Sequence, residues 1–302
     1  MHFVFVINPY AGVENSERSL LEQLENDTSL DYSIYYTKSS GDATRYVRQM
    51  LETNTENKEY CFVCCGGDGT INEVINGMIN QKHCCFSVFP CGSGNDYVKY
   101  FGGEQLFTDI SKYSTGEIVD VDVMEVNGRY CVNVINLGFE TQVVKFMHKV
   151  KRMPLLGGKN SYTTGLLMAL CTALVNRYEI IADGNVVNPE GKFLLCTLAN
   201  GSYVGGAYKC APLSKINDGL MELCLAKCMN IFRLIPLIKV YKEGKHIGND
   251  KFKKYIEYRQ VKEVEVHSEK TVTLCLDGEI IEANDVTIIN HQKKLKFYIP
   301  RQ

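Results

Sequence analysis

The sequence predicts an α/β chain in two parts, a doubly wound N-terminal domain and a mainly antiparallel β-sandwich C-terminal domain. Three observations carry this reading. Up to about residue 117, short continuous apolar runs alternate with segments of helical periodicity, the pattern of strands buried between helices on both faces. Beyond residue 118 the helical segments thin out, and Asn-Gly or Asp-Gly pairs sit between alternating runs, the strongest short hairpin signal. A length of 302 residues is long for one core and comfortable for two.

The elements of the first part follow in order. Phe3–Ile7 is apolar throughout and ends at Asn8-Pro9, a strand entering a turn. A helix is expected over Ser16–Glu25, a strand over Tyr32–Tyr36, and a helix over Asp42–Glu52 after the Ser39-Ser40-Gly41 turn. Cys61–Cys65 reads as a strand running into Gly66-Gly67-Asp68-Gly69. The helix that follows opens at Thr70, where Thr70 and Glu73 have capping-box spacing. Ile71, Val74, Ile75, Met78 and Ile79 then share one helical face. A strand over Phe86–Pro90 again breaks into glycines, Cys91-Gly92-Ser93-Gly94-Asn95-Asp96. Doubly wound sheets bind ligands beyond the carboxyl ends of their strands, and Asn8, Thr37, Gly66–Thr70 and Ser93 all follow such ends.

In the second part, 118–285, Val121–Val126 and Arg129–Val134 flank Asn127-Gly128, and Tyr178–Ala182 and Val186–Val187 flank Asp183-Gly184. Further strands are expected at Phe193–Leu198, Leu220–Ala226, Val261–His267 and Thr271–Leu276. Two helices interrupt them, near Thr141–Arg152 and Ile231–Glu243. A last hairpin, Val286–Asn290 with Leu295–Ile299, closes the chain, and 286–302 is open to either domain.

Composition narrows the function classes. With 33 basic against 35 acidic residues there is no general case for nucleic acid as partner. Several of the 13 cysteines, Cys61, Cys64, Cys65, Cys84 and Cys85 among them, fall in or beside apolar runs, and the set makes no disulfide framework, which suits reduced thiols in a cytoplasmic protein. Cys61 and Cys64 have zinc-like spacing, but no second pair completes a site. The longest apolar stretch, Gly165 to Val175, is too short to span a bilayer and reads as buried core.

The chemistry concentrates at the first glycine turn. Glycines before a helix N-terminus leave backbone N–H groups bare and the helix dipole unopposed, which suits a phosphate. Asp68 conflicts with that role unless it handles a cation or a proton. The sequence has no G-x-x-x-x-G-K-[ST], lacks the third glycine of the dinucleotide fingerprint, and has no H-R-D or D-F-G set.

An ordered set of motifs then carries a resemblance. Asn8-Pro9 with Gly12, Thr37 leading to Gly41-Asp42-Ala43, Gly66–Glu73, and Pro90-x-Gly92-Ser93-x-Asn95-Asp96 lie in the first part. Pro212-Leu213 through Asp218-Gly219 and Leu276-Asp277-Gly278-Glu279 lie in the second. In these motifs, and over nearly its whole length, the chain resembles the bacterial diacylglycerol kinase family of soluble lipid kinases. That family is related to sphingosine and ceramide kinases and more distantly to NAD kinase and phosphofructokinase.

The resemblance implies ATP-dependent phosphoryl transfer to a lipid hydroxyl, first of all diacylglycerol to phosphatidate. ATP contacts map onto Asn8, Pro9, Gly12, Thr37, Gly66, Gly67, Asp68, Gly69, Thr70, Ile71, Asn72 and Ser93. It implies a phosphofructokinase-like first domain, a lipid acceptor entering from the second, and transfer in the cleft between them. An alkyl hydroxyl needs a base, and the family places a carboxylate at Asp277 or Glu279, with Asp68 the other contender. Without the resemblance, Asp277-Gly278 reads as a hairpin turn, and Ser93 and Asn95 as turn and cap residues. Asp68 alternatively holds Mg²⁺ on the nucleotide phosphates. A structural Mg²⁺ loop maps onto Asp218 with the backbone carbonyls of Lys215 and Leu220, where an Asn-Asp-Gly turn is the plainer reading. Asn217 stands where many relatives carry a second acidic residue.

A lipid substrate implies transient peripheral contact with a membrane surface. Thr141–Arg152 offers Val143, Phe146, Met147 and Val150 on one face beside Lys145, Lys149, Lys151 and Arg152, with Leu155-Leu156 after Pro154. An ordinary core-facing helix with a basic edge fits the same pattern. A homodimer is implied by the resemblance alone. The rival functions are a small-molecule kinase of the NAD kinase type and a catalytically silent lipid-binding or regulatory protein.

Overall fold

A computed structural model describes residues 1–11, 16–27, 29–150, 161–172 and 174–301. The chain divides into two compact units, Met1–Val123 with Tyr130–Val132 and Gln292–Gln302, and Met124–Arg129 with Asn133–His291.

In the first unit the elements run β1 (His2–Ile7), α1 (Ser16–Asn26), β2 (Tyr32–Tyr36), α2 (Asp42–Glu52), β3 (Tyr60–Gly66), α3 (Asp68–Met78) and β4 (Cys84–Pro90). The strands are parallel in the order β2-β1-β3-β4, with Val6 opposite Tyr35 on one side and Cys64 on the other. Alternation splits each strand between two faces. Phe3, Phe5 and Ile7 join Cys61, Val63 and Cys65 in one core cluster with Leu20 and Leu24 of α1. Right-handed crossovers then place α2 and α3 on the opposite face, because the order reverses after β2. That reversal makes the carboxyl ends of β1 and β3 the topological switch point, where open α/β sheets bind ligands. The strand cysteines are part of this packing, and burial pushes the thiols of Cys61, Cys64 and Cys65 up.

The second unit is built from β7 (Val134–Gly138), α4 (Phe139–Val150), α5 (Ser161–Thr172), β8 (Glu179–Ala182), β9 (Asn185–Val186), β10 (Leu195–Ala199), β11 (Met221–Ala226), α6 (Ile231–Lys242), β12 (Ile256–Val261), β13 (Glu263–His267), β14 (Val272–Leu276) and β15 (Glu279–Ala283). One antiparallel sheet has the order β12-β11-β10-β7-β14-β15. β13 pairs antiparallel with β8 and with residues 286–289 to form the second layer of the sandwich. Three further strands complete the set: β5 (Glu117–Val126), β6 (Arg129–Cys131) and β16 (Val286–Ile299). All three expected turns, Asn127-Gly128, Asp183-Gly184 and Asp277-Gly278, have positive φ at both residues, the type I′ geometry that asparagine, aspartate and glycine tolerate.

Three expectations change. The closing hairpin is one long strand, β16, because His291–Lys294 contains no turn residue and the chain bends only locally, at Lys293 with φ of 52°. Strand β12 is an addition to the expected set; its Arg259 and Gln260 are exposed and its sequence lacks a continuous apolar run. The apolar stretch Gly165–Val175 is only in part buried core: Ala169 is buried in a core cluster and Leu166 and Leu170 pack against it, while Leu167 is 60% exposed and Met168 38%. Of the two readings of the α4 face, the structure shows the core-facing helix with a basic edge. Val143 and Phe146 join a core cluster, and Lys145 pairs with Glu282 at 3.1 Å. Lys151, Arg152, Pro154 and Leu155-Leu156 lie outside the described residues.

Candidate active site

Two glycine turns in the first unit press together beyond the strand ends. β3 leads into Gly66-Gly67 and β4 into Cys91-Gly92, joined by the Cys91 N–H donating to the Gly66 carbonyl at 3.1 Å. A Cβ at Gly92 would lie 2.5 Å from the Gly67 Cα, and one at Gly66 would lie 2.1 Å from the Thr70 Oγ1. Only hydrogen fits at either position, so the glycines set how closely the two turns approach.

α3 starts at Asp68 rather than Thr70, with Gly67 in extended conformation at its N-cap and no side chain capping it. The Thr70 and Ile71 N–H groups turn back to the Gly67 carbonyl at 2.9 and 3.3 Å, and the helix dipole adds positive potential at the same point. Asn8 reaches this site from β1, its Nδ2 donating to the Thr70 Oγ1 at 3.4 Å. Thr37 is anchored one strand over by its N–H to the Ile7 carbonyl at 2.9 Å. Ser93 stands exposed at the tip of the second turn, while Asn95 is buried with φ of 49° and closes that turn on Gly92 through two hydrogen bonds. Asn95 therefore has the turn role, which leaves Ser93 as the outward group.

Asp68 has a structural bond that explains its place among glycines. Its Oδ1 accepts the Asp96 N–H at 3.0 Å, tying the helix start to the second turn. Asp96 in turn pairs with Lys99 at 2.9 Å, and Lys99 also donates to the Gly94 carbonyl. Asp96 closes the motif of the second turn but carries no expected role, and Lys99 is missed because its signal, an i, i+3 pair with Asp96, is too common to single out.

The capping-box reading of Thr70 and Glu73 fails. Glu73 points to the neighbouring helix and accepts the Gly41 N–H at 2.8 Å and the Ala43 N–H at 3.2 Å, capping α2. Gly41 is left-handed and has no side chain to cap its own helix, so the carboxylate from α3 satisfies those donors. Beside it the Lys38 N–H, with Tyr35 and Arg45, holds Asp42 below the usual carboxylate range.

Not every expected contact residue reaches the turns. Ile71 is buried core, and Asn72 donates to the Tyr130 carbonyl at 3.0 Å. Pro9 is exposed beside Asn8, and Gly12 lies outside the described residues.

In the second unit, Asp277 and Gly278 form the β14–β15 turn. Asp277 is buried, and its Oδ1 accepts the N–H groups of Asn133 at 3.2 Å and Val134 at 2.8 Å, fixing the start of β7. Glu279 opens β15, half-buried. The loop before β11 holds Asp218, whose Oδ1 accepts the Leu220 N–H at 3.1 Å in an Asx turn. Gln260 bridges Asp218 and Glu222. Burial pushes the Glu222 carboxyl up, and the Asp218 charge adds to it. Asp218 in the turn and Glu222 on β11 are two carboxylate donors of the kind a hard cation takes, but among the described residues no group of three or more His, Cys, Asp or Glu is placed to hold a metal ion. Lys215 is exposed on the same loop.

Behind the main sheet of this unit, Glu140 is enclosed by apolar residues that include Leu166, Leu195, Leu234 and Leu237, around a cavity of about 30 Å³. Burial pushes its carboxyl up, and Thr197 donates to its Oε2 at 2.8 Å. Nothing in the residue pattern marks it, because a glutamate near a helix start ordinarily faces solvent.

Comparison with known proteins places this arrangement. Residues 2–126 match the model of the diacylglycerol kinase catalytic domain, and residues 133–297 match that of the YegS C-terminal NAD kinase beta sandwich-like domain. Diacylglycerol kinase of Bacillus subtilis is 29% identical over 98% of this chain and 96% of its own length. Diacylglycerol kinase of Staphylococcus carnosus is 28% identical over 98% and 94%. A crystal structure of a diacylglycerol kinase from Bacillus anthracis str. Sterne shares the fold, with a TM-score of 0.69 at 21% identity over 99% of this chain and 96% of that one. A kinase family implies ATP as the donor, and the glycine turns lie inside the matched catalytic segment. With both of its segments matched in order, the chain belongs to the diacylglycerol kinase-like family, a family of lipid kinases.

Proposed function

We propose that this chain is an ATP-dependent lipid kinase that transfers the γ-phosphoryl group to the hydroxyl of a diacylglycerol, producing phosphatidate. The observation that carries the reading is the pair of glycine turns packed over the uncapped N-terminus of α3. Phosphoryl transfer asks a protein chiefly for positioning and charge neutralisation, and backbone N–H groups at a helix start with small hydroxyls supply both. Gly66, Gly67, Gly69, Thr70, Asn8, Thr37 and Ser93 are the nucleotide contacts in this reading. The acceptor class is taken from the names of the relatives.

In the reaction the acceptor oxygen bonds to the γ-phosphorus, the bond to the β,γ-bridging oxygen breaks, ADP leaves, and the hydroxyl proton passes to a carboxylate. We assign that proton to Glu279 and give Asp277 a positioning role, because its Oδ1 already holds two backbone N–H groups. Bound Mg²⁺ would neutralise charge on the nucleotide phosphates. Asp68 is the carboxylate assigned to it there, and Asp218 with the carbonyls of Lys215 and Leu220 is assigned a structural ion. The reading places the protein in the cytoplasm with transient contact to a bilayer. Among the described residues no helix is long and apolar enough to cross a membrane.

Labelled ATP, Mg²⁺ and mixed micelles of diacylglycerol, sphingosine, ceramide or undecaprenol, with a parallel reaction on NAD, test the proposal. Labelled phosphatidate is the expected product. Label in NAD, or in no acceptor at all, would overturn it. Glu279→Gln is expected to lower kcat at least about a hundredfold with little change in the KM for ATP. Full activity of that variant would remove Glu279 as the base.

A further inference from the structure

We propose that α6, with the turn that packs on it, is the surface by which the protein docks on an anionic lipid bilayer. The inference rests on the lipid-kinase reading for its purpose, and on separate observations for its location. The whole chain carries a net charge of −2, yet residues 227–254 hold eight basic residues against two acidic ones. Lys227, Arg233, Lys239 and Lys242 are exposed on or beside α6, and Lys251 and Lys254 are exposed on the turn after it.

This charge surrounds apolar side chains left in water. Phe232 is 84% exposed and Ile235 is 55% exposed on α6, while Leu234 and Leu237 of the same helix are buried. Phe232 and Ile235 lie three residues apart on one face of the helix, and an exposed apolar face rimmed by charged groups marks an interaction site. The rim is held in place. Phe252 packs in the cluster with Leu234 and Leu237, which fixes the basic turn against the helix. Arg233 donates to the Tyr255 hydroxyl, and its guanidinium lies 5.3 Å from the ring centroid. The Lys254 Nζ lies 5.1 Å from the same ring. α5 belongs to the same apolar cluster and adds exposed Leu167 and Met168.

Basic side chains beside exposed aromatic and aliphatic ones match a phosphate-bearing surface over hydrocarbon, the pattern of an interfacial helix. A polyanion alone would satisfy the charges and leave Phe232 and Ile235 in water. A second copy of this chain would bring the same positive charge against itself. An anionic bilayer satisfies both halves of the pattern. Each basic group near such a surface strengthens binding about fivefold, and burying one phenyl group adds roughly tenfold or more.

Flotation of the full chain with phosphatidylcholine vesicles, alone or with phosphatidylglycerol, reads this without ATP. Salt-sensitive binding to the anionic vesicles only is expected. Phe232→Ala/Ile235→Ala should lower it at least tenfold, and Lys251→Glu/Lys254→Glu by a similar factor or more. Ile118→Ala, at an exposed apolar residue of the other unit, should leave it unchanged. All variants should keep the wild-type melting temperature and wild-type activity on a dispersed short-chain diacylglycerol. Equal binding by wild type and both double variants would overturn the proposal. So would equal binding to neutral vesicles, a dimer that Phe232→Ala abolishes, or binding to an oligonucleotide but not to vesicles. Binding that follows the variants in a protein that phosphorylates no lipid would support the docking surface and sink the kinase reading alone.

Discussion

Replacing Gly92 by alanine tests whether the contact between the two glycine turns sets the nucleotide site. The added Cβ would lie 2.5 Å from the Gly67 Cα, 2.8 Å from the Asn95 Oδ1 and 3.2 Å from the Gly67 nitrogen. Ordinary contact begins at 3.4 Å, so the turns must part by about 0.9 Å. Two of the three neighbours are backbone and cannot rotate aside. The N–H groups of the α3 start then shift relative to the second turn by nearly 1 Å, a displacement that costs about a hundredfold in rate. In free energy that is about 2.7 kcal/mol of transition-state stabilisation. Gly94→Ala is the graded comparison, since its Cβ meets first the tip of the Asp68 carboxylate at 2.9 Å, and a side-chain end can turn. It should cost about tenfold. The assay is kcat/KM for ATP with diacylglycerol in mixed micelles, beside fluorescent-nucleotide binding without acceptor. Thermal unfolding establishes that the variants fold. A folded Gly92→Ala variant within threefold of wild type in both measurements would refute the reasoning.

Three further outcomes are expected. Glu73→Ala should destabilise the protein by about 1–2 kcal/mol in urea unfolding, because it uncovers the Gly41 and Ala43 N–H groups, and Glu73→Gln should cost less. Burial lowers His246 from 6.5 to about 4, so its neutral form belongs to the fold, and stability is full above pH 6.5 and lost as pH falls toward 4. Between pH 7.5 and 5 this amounts to about 2 kcal/mol, which His246→Phe should remove from the pH profile. In the Asp218 loop, chelation with EDTA should lower the melting temperature of the wild type and leave Asp218→Ala unaffected. Equal sensitivity of the two would remove the structural cation from the reading.

The glycine turns were legible because their signal is local. A strand of buried apolar residues, a break into glycines and a helix starting at once lie within twenty residues. The hairpin turns were legible for the same reason, since positive φ is a demand that asparagine, aspartate and glycine meet by themselves. Glu73 was misassigned because capping-box spacing is satisfied equally by a carboxylate that turns to another helix. Only the packing of α2 on α3 brings the Gly41 donors within its reach. Asp68 looked like a conflict until the fold supplied the Asp96 N–H, twenty-eight residues away. The closing strand was cut in two because polar residues at positions 291–294 resemble a turn, although nothing in them forces one.

By itself, then, the sequence determined where the chain changes from parallel to antiparallel structure, where its hairpin turns lie, and where strands break into glycines before a helix. Those features depend on backbone preferences and periodicities within a few residues. Only the tertiary structure decided how closely Gly67 and Gly92 approach, what Asp68, Glu73 and Asp277 hold, and which apolar residues of α5 and α6 stay in water. Those depend on partners far apart in the chain, and burial is a property of what packs over a residue rather than of the residue itself.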